Sequence, residues 1–413
     1  MLSIFRTGFW LILLSNCSNI FNYVQMIMIS RFLTKTDFSI FTSVTATGIV
    51  ITSFLSVVPS VYVLVFNSNE LDEVKKNETI SQLNRFVFAG SIVFFLMVFV
   101  FSFPISIMLN ISTPFPMLIY SVCLLNSLIL QIFVGHCLIS GRYKLIQVQV
   151  FILTLTKLTL TFFLFTVYGN NLYYVFYTEF IATLVSIIFL FKIIGSLDFS
   201  SKFKIKSVKF FFIKSIPIGI TLFISGVLLS SDLILAKHLF SPILAADYSV
   251  ASNLGKIAFF VSGAISGVVF AITKGEASQG NGTLKILILA TIAAFLCGGV
   301  VIFSSLFFPG EIISMLFGSK FLSSQDLFQV LSFSMTILSV NVVVFNYLLA
   351  MNQLKYIKYA LILMLFYMLI AISGVIDSPN DLSYLVAVLM VSLLLSNIFC
   401  LMREFQMSGL KKV

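Results

Sequence analysis

Charge is scarce in this chain. Only 10% of its 413 residues are Asp, Glu, Lys or Arg, where a soluble domain carries about 25%. Hydrophobic residues make up 59%, and the mean hydropathy is +1.10. One soluble core could not hide that much apolar surface, so the surrounding solvent is a bilayer. Cysteine is sparse too. Cys17, Cys123, Cys137, Cys297 and Cys400 sit in or beside apolar runs without a C-x-x-C pair, and His136 and His238 stand apart. That excludes a disulfide framework or a zinc site, and no metal is expected. The single Trp against 47 Phe reads as compositional habit rather than an aromatic binding site. Also missing are a P-loop, G-x-S-x-G, H-E-x-x-H, a paired D-x-D and a Gly-rich dinucleotide fingerprint. Nothing argues for chemistry on a covalent bond, so the chain is read as no enzyme and as needing no cofactor.

Apolar runs long enough to cross the hydrocarbon core number twelve: about 8–30, 38–66, 86–109, 115–140, 146–168, 172–194, 215–236, 243–272, 285–308, 325–351, 358–377 and 382–402. Each must be a helix, because an isolated strand would leave its backbone unsatisfied in lipid. The run after Arg6 has no small-residue cleavage site behind it and reads as the first span, retained in the mature protein. Ser241 and Pro242 give the eighth span a cap and a first helical residue.

The net charge of +10 lies in short loops, which points to membrane orientation rather than nucleic acid. With the N-terminus inside, nineteen Lys and Arg fall in inner loops. Only Arg31, Lys35, Lys237 and Lys320 fall outside. The positive-inside rule therefore places both termini in the cytoplasm. The loop near 195–214, with Lys202, Lys204, Lys206 and Lys209, reads as a linker between two six-helix lobes, 1–200 and 201–413. Its charges serve orientation and headgroup anchoring.

The halves echo each other. Asp37-Phe38-Ser39-Ile40 returns 210 residues later as Asp247-Tyr248-Ser249-Val250. Gly141-Arg142-Tyr143-Lys144 returns in form as Asn352-Gln353-Leu354-Lys355, offset by 211. A shared offset suggests parallel duplication, a common way of building transporters.

Ionisable groups inside a span are costly and face a cavity or a partner. Lys157 is midway along the fifth span, Glu179 in the outer half of the sixth, Asp232 in the outer third of the seventh, and Lys256 near the middle of the eighth. At 1.5 Å per residue, Lys157 and Glu179 lie roughly 16 Å and 10 Å below their outer helix ends, within reach of each other. A pair there either locks two helices together or leaves Lys157 facing a cavity for an anionic substrate. Lys256 is read as a second cavity cation. Asp232 is explained equally by hydration, packing or ion coupling. Arg31, at the outer end of the first span, is either solvated or guards a cavity mouth. In the first span Ser15, Asn16, Ser18, Asn19, Asn22 and Gln25 cluster, with Asn16, Asn19 and Asn22 spaced three apart on one face. Such a stripe either hydrogen-bonds sugar hydroxyls or holds helices together. Asn341 and Asn346 pose the same choice.

Twelve spans in two lobes, Arg31-Phe32-Leu33 with Asp37-Phe38-Ser39-Ile40-Phe41, and the run from Asp232 to Ser252 resemble the polysaccharide-exporter branch of the MOP superfamily, and most of all its Wzx-type O-antigen flippases. Asp37 and Asp247 match that family's acidic corner, while its common Gly is absent from both copies. The resemblance implies an all-α polytopic fold. It implies a flippase moving an undecaprenyl-diphosphate-linked oligosaccharide between the cytoplasmic and periplasmic leaflets of a bacterial inner membrane by alternating access. Lys157, Lys256, Arg31, Asn19 and Asn22 would then bind substrate. Glu179 and Asp232 would be candidates for H+ or Na+ coupling, and an O-antigen polymerase and a chain-length regulator are the implied protein partners. A multidrug exporter of the same superfamily would favour acidic residues in its cavity, and a lipid II or teichoic-acid precursor flippase would look much the same. A membrane polymerase usually needs a substantial periplasmic loop, and the outer loops here are short.

Overall fold

The computed structural model describes residues 2–201, 205–278 and 283–410. Lys202, Lys204, Lys411 and Lys412 lie outside the described residues, as do the side chains of Arg6, Ser15 and Lys206. The chain order is α1 (Leu2–Phe32), α2 (Lys35–Leu55), α3 (Val58–Phe66), α4 (Glu73–Met108), α5 (Phe115–Ile139), α6 (Tyr143–Tyr168), α7 (Leu172–Ile194), α8 (Ile205–Leu239), α9 (Pro242–Ser278), α10 (Leu284–Phe307), α11 (Pro309–Leu316), a 3₁₀ turn (Ser319–Ser324), α12 (Gln325–Ala350), α13 (Lys355–Ile372) and α14 (Pro379–Leu410). No strand occurs among the described residues. Every expected span is helical, the second being divided between α2 and α3. Ten spans among the described residues are long and apolar enough to cross a membrane. The 31-residue α1 and the 37-residue α9 stand where the other two were expected.

Local chemistry sets the ends. Thr34 Oγ1 accepts the Asp37 amide at 3.1 Å and donates to the Asp37 carboxylate at 2.8 Å, a capping arrangement that starts α2. Ser241 caps α9 as expected, accepting the Leu244 amide at 3.5 Å, with Pro242 first in the helix. The second span breaks into α2 and α3 because Pro59, near the start of α3, has no N–H to continue the ladder.

The two sequence echoes fare differently. Gly141 and Asn352 both adopt positive φ, 67° and 59°. At both corners the following amide reaches back five residues at 2.9 Å, Arg142 to Cys137 and Gln353 to Leu348. These are the same left-handed helix terminus at the same offset. The Asp37 and Asp247 copies are not structurally equivalent. Asp37 lies two residues inside α2, whereas Asp247 lies five inside α9 and is buried. The motif matches in letters but is shifted along its helix by about a turn.

The chain divides into two compact units, Met1–Phe223 and Ile224–Val413. In the first, α1 packs along α6, and α5 is surrounded by α2, α3, α4 and α7. A Cβ on Gly135 would come within 2.5 Å of the Tyr62 ring, and one on Gly48 within 2.1 Å of Tyr120. These glycines are what let aromatic rings lie flat against the helices. In the second unit α12 is central, touching α9, α10 and α14, and most of its side chains are buried. A Cβ on Gly255 would meet the Leu331 carbonyl oxygen at 2.9 Å, so α9 and α12 approach backbone to backbone. Outward faces carry large exposed side chains such as Phe99, Val100, Phe303 and Phe307, the surface expected against lipid.

Candidate functional site

Each unit carries one intramembrane lysine bound to one carboxylate. In the first, Lys157 Nζ on α6 is 2.5 Å from Glu179 Oε2 on α7, and their side chains are 15% and 14% exposed. The fold brings them together because α6 and α7 are consecutive and packed along their length. Thr161, one turn beyond Lys157, extends the cluster. Its hydroxyl lies 2.7 Å from the Lys157 carbonyl, 3.1 Å from Thr178 Oγ1 on α7, and accepts Gln25 Nε2 from α1 at 3.1 Å. Ring pairs hold α1 on α6 to either side, Phe21 with Phe151 at 5.4 Å and Phe32 with Phe165 at 5.3 Å. Gln25 thus ties the polar face of α1 to the ion-pair helices.

Asn22 is exposed and Asn19 half-buried, one and two turns before Gln25 on the same helix. Arg31 is exposed near the end of α1. None of the three joins the ion pair itself.

The second unit holds a drier cluster. Asp232 on α8 is 1% exposed and Lys256 on α9 is 3% exposed. Lys256 Nζ lies 3.5 Å from Asp232 Oδ1, and Ser252 donates its hydroxyl to Oδ2. Ser252 and Lys256 are four residues apart, so both point from one face of α9 at one carboxylate. The Tyr248 and Tyr367 hydroxyls are buried within electrostatic reach of Asp232, and that of Tyr248 has no hydrogen-bond partner. A buried ion pair is expensive to desolvate and earns its place through added hydrogen bonds or a switching role.

The Lys157–Glu179 contact was one of two possibilities left open by the sequence, and the Lys256–Asp232 contact was not anticipated. The sequence also marked Gln25 without giving it a site. The signal for the second pair was present: Asp232 lies seven residues before the end of α8 and Lys256 fourteen after the start of α9. That is about 10 Å of depth difference, within the combined reach of a Lys side chain and a tilted helix. Asn341 takes the packing role. It donates to the Met390 carbonyl at 2.9 Å and accepts from Asn397 at 2.8 Å, fastening α12 to α14. Among the described residues no three His, Cys, Asp or Glu side chains gather as a metal site.

A family model described as polysaccharide biosynthesis protein matches residues 4–274. No match was found among the curated proteins. Among solved structures the chain is similar to lipid II flippase MurJ in an inward closed conformation, with TM-score 0.74 and 16% identity over 94% of this chain and 87% of that one. It is similar to an inward-facing multidrug resistance MATE family transporter of the MOP superfamily, with TM-score 0.72 and 11% identity over 96% of both chains. A MOP superfamily transporter from Pyrococcus furiosus, described as having a binding pocket of reverse polarity, gives TM-score 0.64 and 13% identity over 99% and 96%. Identities this low show the fold alone.

Proposed function

The chain belongs to the polysaccharide biosynthesis protein family and has the MOP transporter fold, and from that premise we propose that it flips an undecaprenyl-diphosphate-linked O-antigen oligosaccharide from the cytoplasmic to the periplasmic leaflet of the inner membrane. It is a flippase or exporter rather than an enzyme. Both termini would lie in the cytoplasm, a reading supported by the distribution of Lys and Arg. The two lobes, expected as 1–200 and 201–413, would work by alternating access.

The observation that carries this reading is the Lys157–Glu179 pair, an intramembrane cation still 15% exposed. A diphosphate arriving at Lys157 competes with Glu179 for the ammonium. Glu179, losing its counter-charge in a medium of low dielectric, would be the group that a coupling H+ or Na+ compensates. Substrate entry and ion coupling would thereby meet at one pair. Asn19, Asn22 and Arg31 line the same helix as Gln25 and would take sugar hydroxyls and the outer edge of the headgroup. Lys256 would join the substrate only in a state that frees it from Asp232. Because the ammonium of Lys256 already neutralises Asp232, a proton suits that pair better than Na+.

Complementation of an O-antigen flippase-null strain tests the proposal, comparing wild type with Lys157→Ala and Lys256→Ala at matched membrane levels. Surface polysaccharide restored by wild type and lost with Lys157→Ala supports it. Restoration by both variants removes the lysines as a site. Failure of wild type, without accumulation of lipid-linked oligosaccharide in the native host lacking the protein, refutes the flippase reading.

A further inference from the structure

The seam between α4 and the start of α8 belongs to neither ion pair. Ile80, Leu83 and Val87 of α4 share a core cluster with Val208 and Phe211 of α8, and the Phe86 and Phe212 rings meet tilted at 57° with centroids 5.1 Å apart. Two recesses follow this seam. One, of about 490 Å³, is walled by apolar groups including Leu55, Phe86, Val93, Met97, Leu128 and Phe212. The other, of about 370 Å³, is lined by Glu70, Lys75, Glu78, Gln82 and Phe211. Both fall in the size range of small-ligand sites.

Helix geometry makes the two recesses one stripe. Glu78, Gln82, Phe86 and Gly90 follow at four-residue intervals on α4 and share a face, each about 6 Å further along the axis. The polar recess lies toward the start of α4 and the apolar one deeper. The apolar end opens outward, with Val93 58% and Met97 53% exposed. A Cβ on Gly90 would meet nothing within 4 Å, so there is room above the helix.

The polar end is rich in acceptors. Gln82 is 1% exposed and gives Nε2 to Glu78 Oε1 at 3.2 Å. Its own Oε1 is buried without a partner. An orphaned buried acceptor is destabilising unless a donor arrives. Beside two carboxylates, the fitting donor is an ammonium bearing N–H groups. Lys75, exposed at the rim of this recess and 3.1 Å from Asp72, offers a cation to the phosphate of such a headgroup.

We propose that this seam binds one aminophospholipid, phosphatidylethanolamine, with its ammonium taken by Glu78 and Gln82 and an acyl chain laid in the recess from Phe86 to Met97. The site lies on the leaflet where α4 begins and is separate from the transported substrate. A quaternary ammonium lacks the N–H that Gln82 Oε1 calls for, and an anionic headgroup meets Glu70 and Glu78 unfavourably. The site therefore discriminates among lipids that share the same tails.

Native mass spectrometry of the delipidated full chain, titrated with phosphatidylethanolamine, phosphatidylcholine and phosphatidylglycerol of matched acyl chains, tests this. One phosphatidylethanolamine should be retained at least tenfold more tightly than the other two. Gly90→Phe, which fills open space, should abolish retention, while Gly90→Ala keeps it and reports on folding. Gln82→Leu should bring phosphatidylethanolamine and phosphatidylcholine within about twofold of each other. Equal retention of all three headgroups, or binding unmoved by Gly90→Phe, overturns the proposal. So does tighter retention of undecaprenyl phosphate at a Gly90-sensitive site, which would assign the groove to the substrate tail.

Discussion

Removing either partner of the Asp232–Lys256 pair should unfold the second unit far more readily than removing both. Asp232→Asn leaves an ammonium that is 3% exposed with no counter-charge, and Lys256→Met leaves a carboxylate that is 1% exposed. Breaking a buried pair in this way costs about 3–5 kcal/mol. For a unit the size of Ile224–Val413 that is a fall of about 6–20 °C in Tm. The double variant Asp232→Asn/Lys256→Met buries no net charge, and Met fills most of the lysine volume. It should return to within about 1 kcal/mol of wild type. Thermal unfolding of all four proteins in one detergent gives the cycle, and the coupling should exceed about 2 kcal/mol. Additive single effects, or a double variant as unstable as the worse single, would refute the claim that the two charges exist for each other. Transport by the double variant then separates the roles. A folded but inactive double variant makes the pair a coupling element, and a folded, active one makes it a structural staple.

The Lys157–Glu179 pair is wetter, so Glu179→Gln should cost only about 1.5–3 kcal/mol and should flatten the dependence of flipping on the proton gradient, read in vesicles at fixed substrate. Gly141→Ala and Asn352→Ala, both at positive φ, should each lose about 1–2 kcal/mol in denaturant titrations, because the same left-handed corner is being refused. Gly255→Ala places a methyl 2.9 Å from a backbone oxygen and should lower stability by about 1–3 kcal/mol, where Gly90→Ala should be neutral or stabilising. In the loop before α8, the hydroxyl and amide of Ser200 hold the Asp198 carboxyl below its usual 3.8. Its contribution is complete above that value and lost as pH falls beneath it, so the protection of the Ser200 amide, measured against its intrinsic exchange rate, should fall only below about pH 4.

The all-helical architecture and the four ionisable residues within its helices were legible because a bilayer forces both: every span must be helical, and every charge in it stands out. Depth along the two helices made a Lys157–Glu179 contact possible and did not decide it; the packing of α6 on α7 does. The Lys256–Asp232 contact escaped because the two residues were read in separate roles, although the same arithmetic across the Ser241 corner would have joined them. Gln25 could not be assigned from a stripe of amides, since which amide meets Thr161 is decided by how α1 is fixed on α6 by Phe21 and Phe32. The unpartnered oxygen of Gln82 leaves no mark on sequence. The shared motif at Asp37 and Asp247 misled for a different reason: short letter matches ignore position relative to the helix start.

Both ion pairs join helices that are neighbours in the chain, α6 with α7 across residues 169–171 and α8 with α9 across residues 240–241. That has a consequence for biogenesis. A lone Lys or Asp at the centre of a helix costs about 2.5–3.5 kcal/mol to place in the bilayer. A helix carrying one is a poor candidate to partition by itself. With its counter-charge on the next segment and only two or three residues between them, each pair can be neutralised as the hairpin forms. The unit of insertion for these four spans is therefore the hairpin, and lengthening either corner should cut membrane yield before it affects transport per molecule.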